Sequence, residues 1–223
     1  MSQSTKCAIC DGQKFANARG GRLSRTGFPP RCETCGSLER HRFIRSIYNE
    51  LRGLTKEKRV LQFAPDISIE PADFLSYEKS TYGGENSLDI KSTKLDANSY
   101  DMVISNHVFE HIDDDAAALR ECLRLVGETG LVHICVPAPG INPFTDDWGF
   151  ADPNIAFHFR NYGADMGMRL CKDVPDVHCI AIIGRDDVTE MNDVLFFFAR
   201  TQGPLIEVAS LLKGLKFVVV SIA

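Results

Sequence analysis

Four of the eight cysteines stand in two C-x2-C pairs, Cys7-Ala8-Ile9-Cys10 and Cys32-Glu33-Thr34-Cys35. Two residues between the thiolates let both sulfurs face one point, and two such knuckles supply the four soft ligands of a tetrahedral Zn²⁺. The spacer from Asp11 to Arg31 slightly exceeds the usual window of roughly 15–20 residues. It holds Phe15, Gly20-Gly21, Gly27 and Pro29-Pro30, the makings of a small hairpin-and-turn module. Gly36 follows the second knuckle, where a tight turn favours glycine. A site of four cysteines is coordinatively closed, so the expected Zn²⁺ is structural rather than catalytic. Cys122, Cys135, Cys171 and Cys179 lie among apolar neighbours and read as small buried hydrophobes.

A chain of 223 residues, 44% hydrophobic and 25% charged, has ordinary globular composition and can fill one core plus a satellite. Lys+Arg 25 against Asp+Glu 30 leaves a net charge of −5. That balance disfavours bulk electrostatic binding to nucleic acid or to an anionic membrane. There is no apolar run of about 18 residues to span a membrane. Met1–Lys6 is polar and lacks the apolar core of a signal peptide. The expected location is the cytoplasm, where thiols stay reduced.

Periodicity then organises the rest. Leu38, Phe43, Ile44, Ile47, Tyr48 and Leu51 recur at helical spacing over residues 38–53, with Ser37 as the candidate N-cap and Gly53 as the stop. Arg40, His41, Arg42 and Arg45 give this helix a basic face, read as solvated in preference to a substrate contact. Arg59–Ala64 reads as a strand and Ile69–Ser76 as a short helix. Further strands are expected at Ser80–Gly84, Tyr100–Ser105 and Leu131–Val136, with a helix over Asp113–Val126. Strands alternating with helices predict parallel βαβ units in a doubly wound α/β sheet. His178–Ile183 and Val194–Phe198 have only a charged turn between them and predict an antiparallel pair at one sheet edge. The apolar tail, Pro204–Ala223, suits a helix then a strand. It either completes the core or pairs with a second copy as a homodimer.

The run Asn106-His107-Val108-Phe109-Glu110-His111-Ile112-Asp113-Asp114, preceded by Ser99-Tyr100-Asp101-Met102-Val103, resembles the N-H-V-L-E-H-I-x-D segment and its preceding strand in class I S-adenosylmethionine-dependent methyltransferases. Arg124–Gly130 stands where that family has R-[VL]-L-x-P-G-G, without the proline and one glycine. Cys35-Gly36-Ser37-Leu38-Glu39-Arg40-His41-Arg42 and Val60-Leu61-Gln62-Phe63-Ala64-Pro65-Asp66 resemble a subgroup, close to the type 11 methyltransferases, that carries an N-terminal cysteine module. The resemblance runs from Cys7 to about Phe198. It implies a Rossmann-like, mostly parallel sheet with an antiparallel edge strand, divided as a zinc module over 1–37, a methyltransferase domain over 38–203 and an apolar extension over 204–223. One departure concerns the first loop, which reads Phe63-Ala64-Pro65-Asp66-Ile67-Ser68 where most of the family has G-x-G-x-G. Contacts to the methionine end of the cofactor must then differ.

In an open α/β sheet the ligand lies beyond the carboxyl ends of the central strands. The resemblance places Phe63, Ala64, Pro65, Asn106 and His107 beside S-adenosylmethionine. It puts Glu85 on the ribose hydroxyls, and Asp89 and Ile90 on the adenine. His107 and His111 are candidate bases, with Glu110 beside them as a third catalytic candidate. Trp148, His158, Arg160 and Tyr162, in the segment 142–170, are the candidate substrate contacts, because mixed charges and aromatics suit a polar acceptor. The leading expectation is methyl transfer to a small polar molecule or a peptide-like acceptor. The alternatives are an RNA-directed methyltransferase or zinc-ribbon binding module, an inactive methyltransferase-like partner, and use of a carboxylated sulfonium cofactor met by Arg160.

Overall fold

The structure, a computed structural model, describes residues 5–222. Ala223 and the first four residues of the polar Met1–Lys6 stretch lie outside the described residues.

The N-terminal module is a short antiparallel pair, β1 (Phe15–Ala16) and β2 (Arg31–Cys32), with Phe15 opposite Cys32. Helix α1 (Glu39–Thr55) follows, running two residues past Gly53. Its N-terminus is closed by His41, whose Nδ1 accepts the Leu38 N–H at 3.1 Å. Burial holds the His41 pKa down to about 4, so the ring stays neutral and able to accept. Ser37 is not the cap: its Oγ faces the Cys7 and Cys35 sulfurs at 3.2 Å each.

The main sheet has seven strands: β3 (Arg59–Phe63), β4 (Ser76–Ser80), β5 (Met102–Asn106), β6 (Leu131–Cys135), β9 (His178–Arg185), β10 (Asn192–Ala199) and β11 (Val218–Ser221). Their spatial order is β11-β9-β10-β6-β5-β3-β4. From β4 to β6 the pairs are parallel; β10 runs antiparallel to β6, and β9 and β11 continue antiparallel beyond it. The central strands β5 and β6 are buried throughout, as parallel strands covered on both faces must be. Helix α2 (Asp115–Val126), capped by the Asp114 carboxylate, and α3 (Met166–Asp173) cover one face. Helices α1 and α4 (Gln202–Leu212) cover the other. Among the described residues, no helix is long and apolar enough to cross a membrane.

Four local expectations change. Residues 69–76 hold only a single 3-10 turn, Pro71–Asp73. The second strand is Ser76–Ser80 rather than 80–84; it is polar because it is an edge strand with little to bury. The segment 142–170 contains a hairpin, β7 (Asp146–Asp152) and β8 (His158–Asn161). The tail completes this chain's own core: Leu205, Val208, Leu212 and Phe217 are buried, and β11 pairs with β9, which is therefore not the edge.

The basic face of α1 also turns inward. Arg42 and Arg45 are buried. Arg42 makes a two-pronged ion pair with Asp186 at 2.7 and 2.8 Å and donates to the carbonyls of Pro30 at 2.7 Å and Ser37 at 3.1 Å. One guanidinium so ties the cysteine module to the turn between β9 and β10. Arg45 donates to the Ser68 carbonyl at 2.8 Å and the Ile67 carbonyl at 3.0 Å, fastening the loop after β3.

Candidate functional site

The site grows from two strand ends. Chain leaving β3 turns at Ala64 (φ 49), and chain leaving β5 turns at His107 (φ 54). Both hold left-handed backbone that non-glycine residues adopt only when their surroundings force it. The forcing groups are visible. Ala64 N–H donates to the Ser80 carbonyl at 3.1 Å, and His107 N–H to the Cys135 carbonyl at 2.8 Å. Asp66 accepts from the Ser68 backbone and hydroxyl, and Asn106 Nδ2 bridges to Asp66 at 3.3 Å and Ser68 Oγ at 3.2 Å. The loop after β3 is held by side chains where a glycine-rich loop would rely on bare backbone.

Two adjoining cavities open beyond these ends. One, of about 370 Å³, is lined by Phe63, Ala64, Ser80, Leu88, Asp89 and Ile90. The other, of about 630 Å³, lies between His107 and His111 on one side and Phe157 and Phe159 of the hairpin on the other. Ala64, Tyr82, Val108 and Ile112 belong to both, so the two form one trough. Pro65 is half-buried beside it, and Glu85 is exposed in a turn five residues beyond the end of β4, lining neither cavity.

Next to the trough three buried polar atoms lack a hydrogen-bond partner among the described residues: Asn106 Oδ1, His107 Nε2 and Glu110 Oε2. Buried polar atoms without a partner are costly, and these three follow closely on the end of β5. Glu110 is buried between two imidazoles, with Oε1 3.5 Å from His107 Nδ1 and 3.9 Å from His111 Nε2. His111 meets His158 edge-to-face at 4.6 Å between ring centres.

Residues 65–134, which carry β4, β5, α2 and most of β6, match the family described as methyltransferase domain. Over that stretch the chain is similar to methyltransferases. Among solved structures it is similar to an S-adenosylmethionine-dependent methyltransferase of Thermotoga maritima (13% identity, 71% of this chain and 89% of that one, TM-score 0.41). It is also similar to phosphoethanolamine N-methyltransferase 1 of Haemonchus contortus, solved with phosphoethanolamine and S-adenosylhomocysteine (9% identity, 77% of this chain and 47% of that one, TM-score 0.45). The chain thus spans about half the length of the Haemonchus protein. None of the curated proteins matches the chain by sequence.

Two of the expected substrate contacts, Arg160 and Tyr162, serve as internal struts. Arg160 is 3% exposed. Its guanidinium donates to Asp147 at 2.7 Å and to the carbonyls of Ile112 at 2.5 Å and Asp113 at 2.8 Å. Tyr162 gives its hydroxyl to Asp115 at 2.6 Å. Neither is free to meet an acceptor, and Arg160 has no group to spare for an extra carboxylate on the cofactor. Trp148 donates its indole N–H to the His158 carbonyl at 3.0 Å and braces the hairpin. Of that set, only the His158 ring reaches the His111 side of the trough. The sequence leaves both readings open, because a polar loop latched by its own ion pairs and one facing a substrate have the same composition.

The N-terminal module brings Cys7, Cys10, Cys32 and Cys35 together, with all four sulfurs within 4.8 Å of one another. Cys7 and Cys35 are 3.7 Å apart, and Cys10 and Cys32 3.6 Å. A tetrahedral ion with Zn–S bonds of about 2.3 Å separates its sulfurs by about 3.8 Å. Gly12 lies so close that a Cβ there would stand 3.1 Å from the Cys32 sulfur and 3.2 Å from that of Cys10. The cluster therefore fits a four-thiolate metal centre. Cys122, Cys135 and Cys179 are buried elsewhere in the core.

Proposed function

We propose that the protein transfers a methyl group from S-adenosylmethionine to a small polar acceptor, with a structural Zn²⁺ in the cysteine module. The observation that carries the reading is the trio of unpartnered buried atoms, Asn106 Oδ1, His107 Nε2 and Glu110 Oε2, at the end of β5, with His107 lining the cavity that adjoins the apolar slot. Phe63, Ala64 and Ile90 offer the slot's apolar walls to an adenine ring, and Asp89 offers a carboxylate to its amino group. Asn106 Oδ1 is an acceptor suited to the donor's ammonium. The cofactor supplies an electrophilic methyl group on sulfur. The chain's part is to bring an acceptor atom in line with it and to take up a proton where the acceptor carries one. His107 is placed for that second task, with Glu110 holding its Nδ1 side. The hairpin supplies an aromatic wall to the trough, Phe157 and Phe159.

Calorimetry with S-adenosylhomocysteine tests the reading. One site per chain is expected, weakened at least tenfold by Ile90→Asp. Absence of binding at millimolar ligand by a folded, zinc-loaded protein overturns it.

A further inference from the structure

His107 walls a third cavity, on the far side from the aromatic hairpin. This cleft, of about 480 Å³, lies between the cysteine module and the main sheet. Arginine dominates its rim. Arg19, Arg25 and Arg31 come from the module and Arg40 from the first turn of α1. Among the described residues none of the four forms an ion pair, and Arg40 Nε is buried without a partner. A fifth, Arg22, is already answered by Glu39 at 2.8 Å.

This clustering runs against the chain's overall charge. Residues 1–37 hold six basic side chains (Lys6, Lys14, Arg19, Arg22, Arg25, Arg31) against Asp11 and Glu33, while the chain as a whole is at −5. The acid excess therefore lies entirely outside the module. Five arginines line the cleft against two carboxylates, Glu39 and Asp193, an excess of positive charge that favours an anion there. The guanidinium fork matches the paired oxygens of phosphate and carboxylate. The volume is that of a small-molecule pocket.

We propose that this cleft is the acceptor site and that it selects a small molecule bearing a phosphate or carboxylate group. The arginines hold the anion, and the acceptor's nucleophilic atom reaches the methyl group past His107. The module then serves the active site as one of its walls. This assignment rests on the methyltransferase reading for its purpose, but anion binding by the cleft stands on its own.

The test uses zinc-loaded, full-length protein at fixed ionic strength, titrated by calorimetry with pyrophosphate, citrate and a 12-nucleotide single-stranded RNA. The comparison proteins are Arg25→Gln/Arg31→Gln and a charge-matched control, Lys56→Gln/Lys213→Gln. Pyrophosphate or citrate should bind once per chain, at least tenfold more weakly to the arginine variant and equally to the control. S-adenosylhomocysteine affinity and zinc content should stay unchanged in all three. The stronger of the two small anions names the headgroup. Equal binding of both anions by the arginine variant and the parent, or none by the parent, overturns the proposal. So does RNA binding that is tighter than either small anion, lost in the arginine variant and steeply salt-dependent, because it would make the cleft a nucleic-acid surface. Loss of S-adenosylhomocysteine binding by the parent, with anion binding intact, would count against the methyltransferase reading instead.

Discussion

Ala64 is the residue at which this chain departs most from a glycine-rich nucleotide loop. Its left-handed backbone (φ 49) is the conformation glycine adopts without a Cβ penalty. Ala64→Gly should therefore raise stability by up to about 1 kcal/mol, with strain relief outweighing the extra freedom of the unfolded chain. It should leave S-adenosylhomocysteine affinity within twofold. Thermal denaturation with calorimetry checks both, and a drop in melting temperature would show that the neighbours of Ala64 impose no strain. The need for a turn after β3 was legible in the Phe-Ala-Pro-Asp run; the means of holding it was not. That means is Arg45, sited 23 residues earlier than the Ser68 carbonyl it grips.

Glu121 shows the same scale through pH. Arg124 grips its carboxylate at 2.8 Å, and Thr93 adds two further bonds. These hold its pKa near 2, against an ordinary value of 4.5. The stabilisation is fully present above the unfolded-state pKa and fades as pH falls from about 4.5 through 2. Glu121→Gln should cost about 1 kcal/mol at pH 7 and much less at pH 2. Urea denaturation at the two pH values measures this, and an equal cost at both would refute the ion pair's contribution.

At the scale of elements, the apolar strands and helices were readable because each buries a face large enough to impose a period. The hairpin β7–β8 escaped because it is charged, exposed and bulged between Asp147 and Asp152. Its stability comes from Arg160, which joins Asp147 of the hairpin to the carbonyls that end the turn carrying Glu110 and His111. Arg160→Lys keeps the charge but loses the fork. It should cost about 2–3 kcal/mol, and proteases should cut faster at the exposed hairpin tip, Pro153–Phe157. Cleavage at the parent rate would mean the latch does not hold the hairpin shut. The clustering of the four cysteines, by contrast, was legible, because the spacing within each C-x2-C pair is a local property of sequence.

At the scale of the whole molecule, the cysteine module and the sheet are joined through the buried pair Arg42–Asp186. Metal removal should act through that joint. Stripping zinc with a chelator should release one Zn²⁺ per chain, lower the melting temperature by at least 10 °C and free four reactive thiols. Thiol titration and metal analysis follow both, and a melting curve indifferent to chelation would show that the module adds nothing to the fold.

The packing of α1 has a consequence for how the chain is made. Its apolar face, with Phe43, Ile47 and Leu51, shares one core with Leu205, Val208 and Leu212 of α4, and Phe43 meets Phe217 at 6.5 Å. A ribosome delivers the helix long before those partners. A nascent chain paused ahead of residue 202 has the strands that α1 packs on but not α4, so the α4-facing side of α1 stays uncovered until the tail is made.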